Sequence, residues 1–187
     1  MITVLRLLLA LGLLGAFDTI YYHEWRARLP AKGRSAGLEL KLHAVRDFLY
    51  APLFATLPFF KWQGWCALVL SLLLVSEILI TIWDFVIEDW VRKPMGGLFP
   101  GERITHAVMG IVYGAMLAYL VPTMRLWSAQ STTFTRQGFV PRPLSVLLLV
   151  LGVGVFLSGC RDLASALELP LSAWPWTASG GSQDKAH

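Results

Sequence analysis

The chain has 187 residues, 56% of them hydrophobic and 15% charged, with a mean hydropathy of +0.58. That composition excludes an ordinary soluble domain of this length. The net charge of +4 is modest, and the basic residues flank apolar segments without forming a basic domain, which excludes nucleic acid as a partner.

Several near-uncharged stretches approach the roughly 18–20 residues that a bilayer crossing needs. The chain therefore reads as all-α, a polytopic integral membrane bundle of about five transmembrane helices. One domain is expected over residues 1–170, followed by a polar, disordered tail over 171–187.

The first predicted helix runs from Ile2 to Leu29 and stops at Pro30. Its apolar start looks like a secretory signal, but no small-x-small cleavage site follows, so an uncleaved membrane helix is expected. After the small, polar loop "PAKGRSAG", the second predicted helix runs from Leu38 to Phe60, with kinks expected at Pro52 and Pro58. The third spans Trp62 to Arg92 and is broken by "KPMGGLFPGE". The fourth covers Glu102 to Trp127. A polar stretch, "SAQSTTFTRQGFVPR", then leads to the fifth, Pro143 to Leu167, which reads as scaffolding.

Lysine and arginine bias sets the expected orientation. Arg26, Arg28, Lys32, Arg34, Lys41 and Arg46 surround the first connection, and Arg92, Lys93 and Arg103 the third. On the opposite side lie Lys61, Arg125, Arg136 and Arg142. A multi-pass protein of the bacterial inner membrane is expected, with its amino terminus outside and its carboxyl terminus in the cytoplasm. Tryptophans 25, 62, 65, 83, 90 and 127 fall near the expected interfaces.

With that topology, nine of the twelve acidic residues and three of the four histidines crowd the cytoplasmic ends of the first four helices. Glu39, His43 and Asp47 are spaced i, i+4, i+8, and Glu77, Asp84 and Glu88 are spaced i, i+7, i+11 with Thr81 beside them. Glu102 and His106 are again i, i+4. At about 100° per residue each set shares a helix face. Asp18 and His23 do not: on a regular helix they stand about 140° apart, and one of them is expected to turn away. Asp89 and Glu24 read as solvated, or paired with Arg92 and Arg28.

Carboxylates and histidines projecting inward from facing helices are how a bundle holds a metal pair. A nitrogen and oxygen donor set without thiolate suits iron, with manganese or zinc as alternatives. Cys66 and Cys160 have no partner at metal-ligand spacing. The expected ligands are His43, His106, Asp84 and Glu88, then His23, Glu39, Asp47, Glu77 and Glu102. Catalytic residues beyond these are not identifiable. The arrangement resembles ferritin-type di-iron bundles, although the Glu-x-x-His motif of that family does not occur.

The expected function is a metal-dependent membrane enzyme, a di-iron oxidase or hydroxylase or a metal-assisted hydrolase. Its partners are membrane lipids and a hydrophobic or lipid-like substrate at the cytoplasmic face. The alternative is a non-enzymatic ion or proton carrier, or an assembly factor, with a structural ion-pair network.

Overall fold

A computed structural model describes residues 1–169. The expected disordered tail, 171–187, lies outside the described residues. Helix α1 (Ile2–Phe17) continues without a break into a π-helix, Asp18–Ala27, which ends where Arg28 turns left-handed at φ 52°. A short helix α2 (Leu29–Lys32) and a 3₁₀ turn, Gly33–Ala36, lead into α3 (Gly37–Thr56). Strand β1 (Phe60–Gln63) precedes α4 (Trp65–Arg92), and α5 (Pro100–Ser128) follows a glycine-containing turn. Strand β2 (Thr133–Arg136) and α6 (Arg142–Ala166) complete the described chain. The fold is all-α apart from one short ribbon.

The long helices close a ring. Helix α1 packs between α5 and α6, α3 lies between α4 and α6, and α4 meets α5. Four helical segments are long and apolar enough to cross a membrane: Ile2–Ala27, Trp65–Met95, Pro100–Ser128 and Arg142–Ala166. Helix α3, read from the sequence as the second of five spans, is not among them. Its 20 residues include Glu39, Lys41, Arg46 and Asp47, which lower its hydropathy.

Inside the ring, at the end away from the acidic residues, Leu5, Leu8, Leu53, Leu57, Leu70, Met116, Leu120 and Leu148 are fully buried. The outer surface is also apolar, with Leu72, Ile111 and Val150 exposed. Apolar residues on both faces are what a helix needs when its solvent is lipid.

Two boundaries differ from the sequence expectation. The second helix ends at Thr56, four residues before Phe60, and residues 60–63 pair antiparallel with residues 133–136 of the supposed polar loop. Pro58 cannot supply the next helical N–H, and the backbone leaves the helix through Phe59 N to Thr56 O, 2.9 Å. Gly64 then turns at φ 58°, where a Cβ would collide with Thr132. Trp62 and Trp127 are buried beneath this ribbon, whereas Trp25, Trp65, Trp83 and Trp90 are exposed as interface residues would be.

Helix α6 lies close on α3 because Gly152 and Gly159 face it. A Cβ at Gly159 would stand 2.9 Å from Asp47 Cβ and 3.2 Å from Ala44 O. On α5, a Cβ added at Gly110 or Gly114 would meet nothing within 4 Å, so those two glycines mediate no close packing among the described residues.

Candidate metal centre

The π-helix decides the geometry of the first wall. Its hydrogen bonds run i to i+5 rather than i to i+4, so residues five apart come into line. Asp18 and His23 are five apart, and both point inward, with His23 Nε2 3.2 Å from Asp18 Oδ2. The expected separation of about 140° belongs to an α-helix, and the chain is not α-helical there.

Two other walls meet His23, α5 and α3, and α4 joins through their histidines. Glu102 Oε1, in the first turn of α5, lies 3.3 Å from His23 Nε2. The His43 ring of α3 stacks on the His23 ring at 4.6 Å between centroids, the planes inclined by 7°. His106, one turn beyond Glu102 on α5, places Nε2 3.1 Å from Asp18 Oδ2 and Nδ1 3.5 Å from Glu88 Oε2 of α4. Asp84, one turn before Glu88, lies 3.5 Å from His43 Nε2.

Three groups of donors can each surround one ion: Asp18, His23 and His106; His23, Glu39 and His43; and Glu88, Glu102 and His106. Within each group the donor atoms lie no more than 4.8 Å apart, and every member is buried. Ligands at about 2.0–2.2 Å from a shared ion stand at most about 4.4 Å apart, so side-chain adjustments of well under an ångström suffice. The groups overlap at His23 and His106 and form one continuous cluster.

Of the nine residues expected from the sequence, His23, Glu39, His43, Glu88, Glu102 and His106 lie in these groups, and Asp84 adjoins them through His43. Asp18 joins them. Asp47 and Glu77 do not. Each four-residue step along an α-helix overshoots a full turn by about 40°, so Asp47 stands about 80° round from Glu39 and meets α6 at Gly159. Glu77 is two turns, about 10 Å, from Asp84. It accepts hydrogen bonds from Tyr50 (2.9 Å) and Thr81 (2.7 Å).

Two residues that sequence reasoning set aside border the cluster. Arg92 is 1% exposed; it donates from Nε to both oxygens of Glu39, at 2.8 and 2.9 Å, and from Nη2 to Glu102 Oε1 at 2.9 Å. It does not pair with Asp89, whose partner is Arg103. The sequence signal was present, since Arg92 continues the i, i+4 stripe of Asp84 and Glu88. Asp162, the one acidic residue within α6, places Oδ2 4.0 Å from His43 Nδ1. Helix α6 is thus more than scaffolding: its Arg161 also pairs with Glu24, which is buried and not solvated. Arg46 donates to Asp84 Oδ2 at 3.1 Å.

Charge at the cluster does not balance. Asp18, Glu39, Asp84, Glu88 and Glu102 are buried against two guanidinium groups, Arg46 and Arg92. With every carboxylate ionised and every histidine neutral, three negative charges would remain. Protonating all three histidines would offset them, but two imidazolium rings stacked face to face at 4.6 Å repel each other. Asp18 Oδ1, Asp84 Oδ1 and Glu88 Oε1 are buried with no hydrogen-bond partner among the described residues, and His23 Nε2 and His43 Nε2 meet carboxylates only at ion-pair distances of 3.2 to 4.0 Å. Buried carboxylate oxygens in that state cost several kcal/mol unless a cation meets them.

No protein-family model, curated protein or solved structure gives a significant match to this chain. The reading of this centre rests on its own chemistry.

Proposed function

We propose that the chain is a metal-dependent integral membrane enzyme with a two-ion centre built from Asp18, His23, Glu39, His43, Asp84, Glu88, Glu102 and His106. The observation that carries the reading is the set of buried carboxylates and imidazoles converging from four helical segments, with donor atoms close enough to share an ion and carboxylate oxygens left without a hydrogen bond. The donor set favours iron, then manganese or zinc. Iron would supply oxidation with dioxygen as co-substrate, and zinc or manganese would supply hydrolysis; the oxidative form is the first to test.

In either case the chain's own residues do defined work. Arg92 holds Glu39 and Glu102 in place, Asp162 and Glu88 orient His43 and His106 through their Nδ1 atoms, and Arg46 fixes Asp84. The substrate class proposed is a lipid or other hydrophobic molecule, because the centre lies among apolar helices. In the cell the proposed setting is the bacterial inner membrane, with the metal end of the bundle facing the cytoplasm, the amino terminus outside and the carboxyl terminus inside.

A carrier is the weaker reading. Beyond Glu77 the interior of the ring is closed by Leu5, Leu8, Leu53, Leu57, Leu70 and Leu120, which favours a centre that retains its ions.

The test is elemental analysis of protein purified in mild detergent, with no chelator and no histidine-rich tag. One or two transition ions per chain are expected. His43→Ala and Glu88→Ala should each lower occupancy at least severalfold, while Asp89→Ala, exposed and paired with Arg103, should retain it. Folded, monodisperse protein without metal would overturn the reading.

A further inference from the structure

A pocket of about 450 Å³ opens beside the metal centre, lined by Trp25, Arg26, Arg28, Lys32, Arg92 and Phe99 among others. Its size is in the range of small-molecule sites. Four of its side chains are cationic and none of its lining residues is acidic. Arg28 and Lys32 have no carboxylate partner among the described residues. Arg26 lies with its guanidinium carbon 4.6 Å from the Phe99 ring centroid.

Three features set this apart from basic residues scattered at a membrane boundary. At the end of the π-helix Arg28 stands in the left-handed region, φ 52° and ψ 44°, which is unfavourable for a non-glycine residue. The same wall carries Phe99, the residue that begins the 29-residue helix α5, whose amino-terminal end favours negative charge. Arg92 reaches the pocket while bound to Glu39 and Glu102, and its Nη1 is outside those hydrogen bonds.

We propose that this pocket binds the anionic head, carboxylate or phosphate, of an amphiphilic molecule. Arg26, Arg28 and Lys32 supply charge, Trp25 and Phe99 supply apolar walls, and Arg92 links the bound anion to two carboxylates of the metal centre. The pocket requires no metal, so the inference extends past the function proposed above and can be tested without it.

The experiment uses the full chain, stripped of metal with chelator, in nanodiscs of zwitterionic lipid doped with phosphatidylglycerol. Retained lipid is counted by native mass spectrometry, with inorganic phosphate as competitor. Wild type should retain about one anionic lipid in preference to zwitterionic lipid. The pair Arg26→Gln with Arg28→Gln should lower that retention about tenfold or more, while Arg136→Gln with Arg142→Gln, the same charge change at the other end, should leave it intact. Displacement by phosphate would show that the anion alone is recognised; retention against phosphate would show that the lipid is needed, and either upholds the site. Equal losses in both variant pairs, or no preference for anionic lipid in wild type, would overturn it. Metal content of the Arg26/Arg28 variant should equal that of wild type, so failure of the pocket is separable from failure of the metal centre.

Discussion

Arg92 is the largest of the fully buried side chains, and it stands between carboxylates from two other helices. Removing one partner from a buried ion network leaves uncompensated charge, at a cost of about 3–5 kcal/mol. Arg92→Met should therefore lower the thermal unfolding midpoint in detergent markedly. Arg103→Met, which breaks only an exposed pair with Asp89, should shift it little; equal shifts would refute the role given to Arg92. At this scale the i, i+4 pairs Glu39–His43 and Glu102–His106 were legible, because α-helical periodicity alone puts both members on one side. Arg92 was legible only as a member of the Asp84–Glu88 stripe, since its partner Glu39 lies 53 positions away, and Asp162 was not legible, because His43 lies over 100 positions away. A lysine or arginine count cannot distinguish a boundary charge from a buried one.

Among elements, the π-helix is what the sequence concealed. Nothing in "DTIYYHEWRA" departs from ordinary helical composition, yet the wider turn brings Asp18 and His23 into line. Gly101 makes room beside it: a Cβ there would strike the Tyr22 hydroxyl. The α3–α6 contact is made where Gly152 and Gly159 of α6 meet α3. It gives a direct test. Gly159→Leu should pry α6 from α3, costing about 1–3 kcal/mol and drawing Asp162 away from His43. Gly154→Leu should be neutral or slightly stabilising, since nothing lies within 4 Å of that position. Unfolding midpoints of the two variants, compared side by side, check the contrast.

For the molecule as a whole, composition and hydropathy were enough to give the class, and the number of spans was the least legible feature. Helix α3 carries its share of the candidate metal centre, and its charged residues remove it from the set that crosses a membrane by composition. The first and third connections do meet at one end, since Arg28 and Lys32 line a pocket together with Met95 and Gly97. On a background lacking Cys66 and Cys160, cysteines introduced at Ser35 and Lys93 should be labelled from the same side. Ser131→Cys should be labelled from the other. The proposed orientation expects only Ser131→Cys to react with an impermeant reagent in intact cells, and the reverse pattern would invert the protein.

The β1–β2 ribbon has a consequence for biogenesis. Its strands bracket α4 and α5 in the chain, and it pairs Phe60 with Arg136 and Gln63 with Thr133. So distant a closure carries an entropic cost that local helix formation does not. The ribbon cannot zip until the chain has been made through α4 and α5 and the two ends of that hairpin have met. Its pairing, tightened by Gly64 N–H to Trp127 O at 2.9 Å and Gln137 N–H to Phe59 O at 2.7 Å, therefore acts as a latch. It ties the two ends of the α4–α5 hairpin together at the end remote from the acidic and histidine cluster.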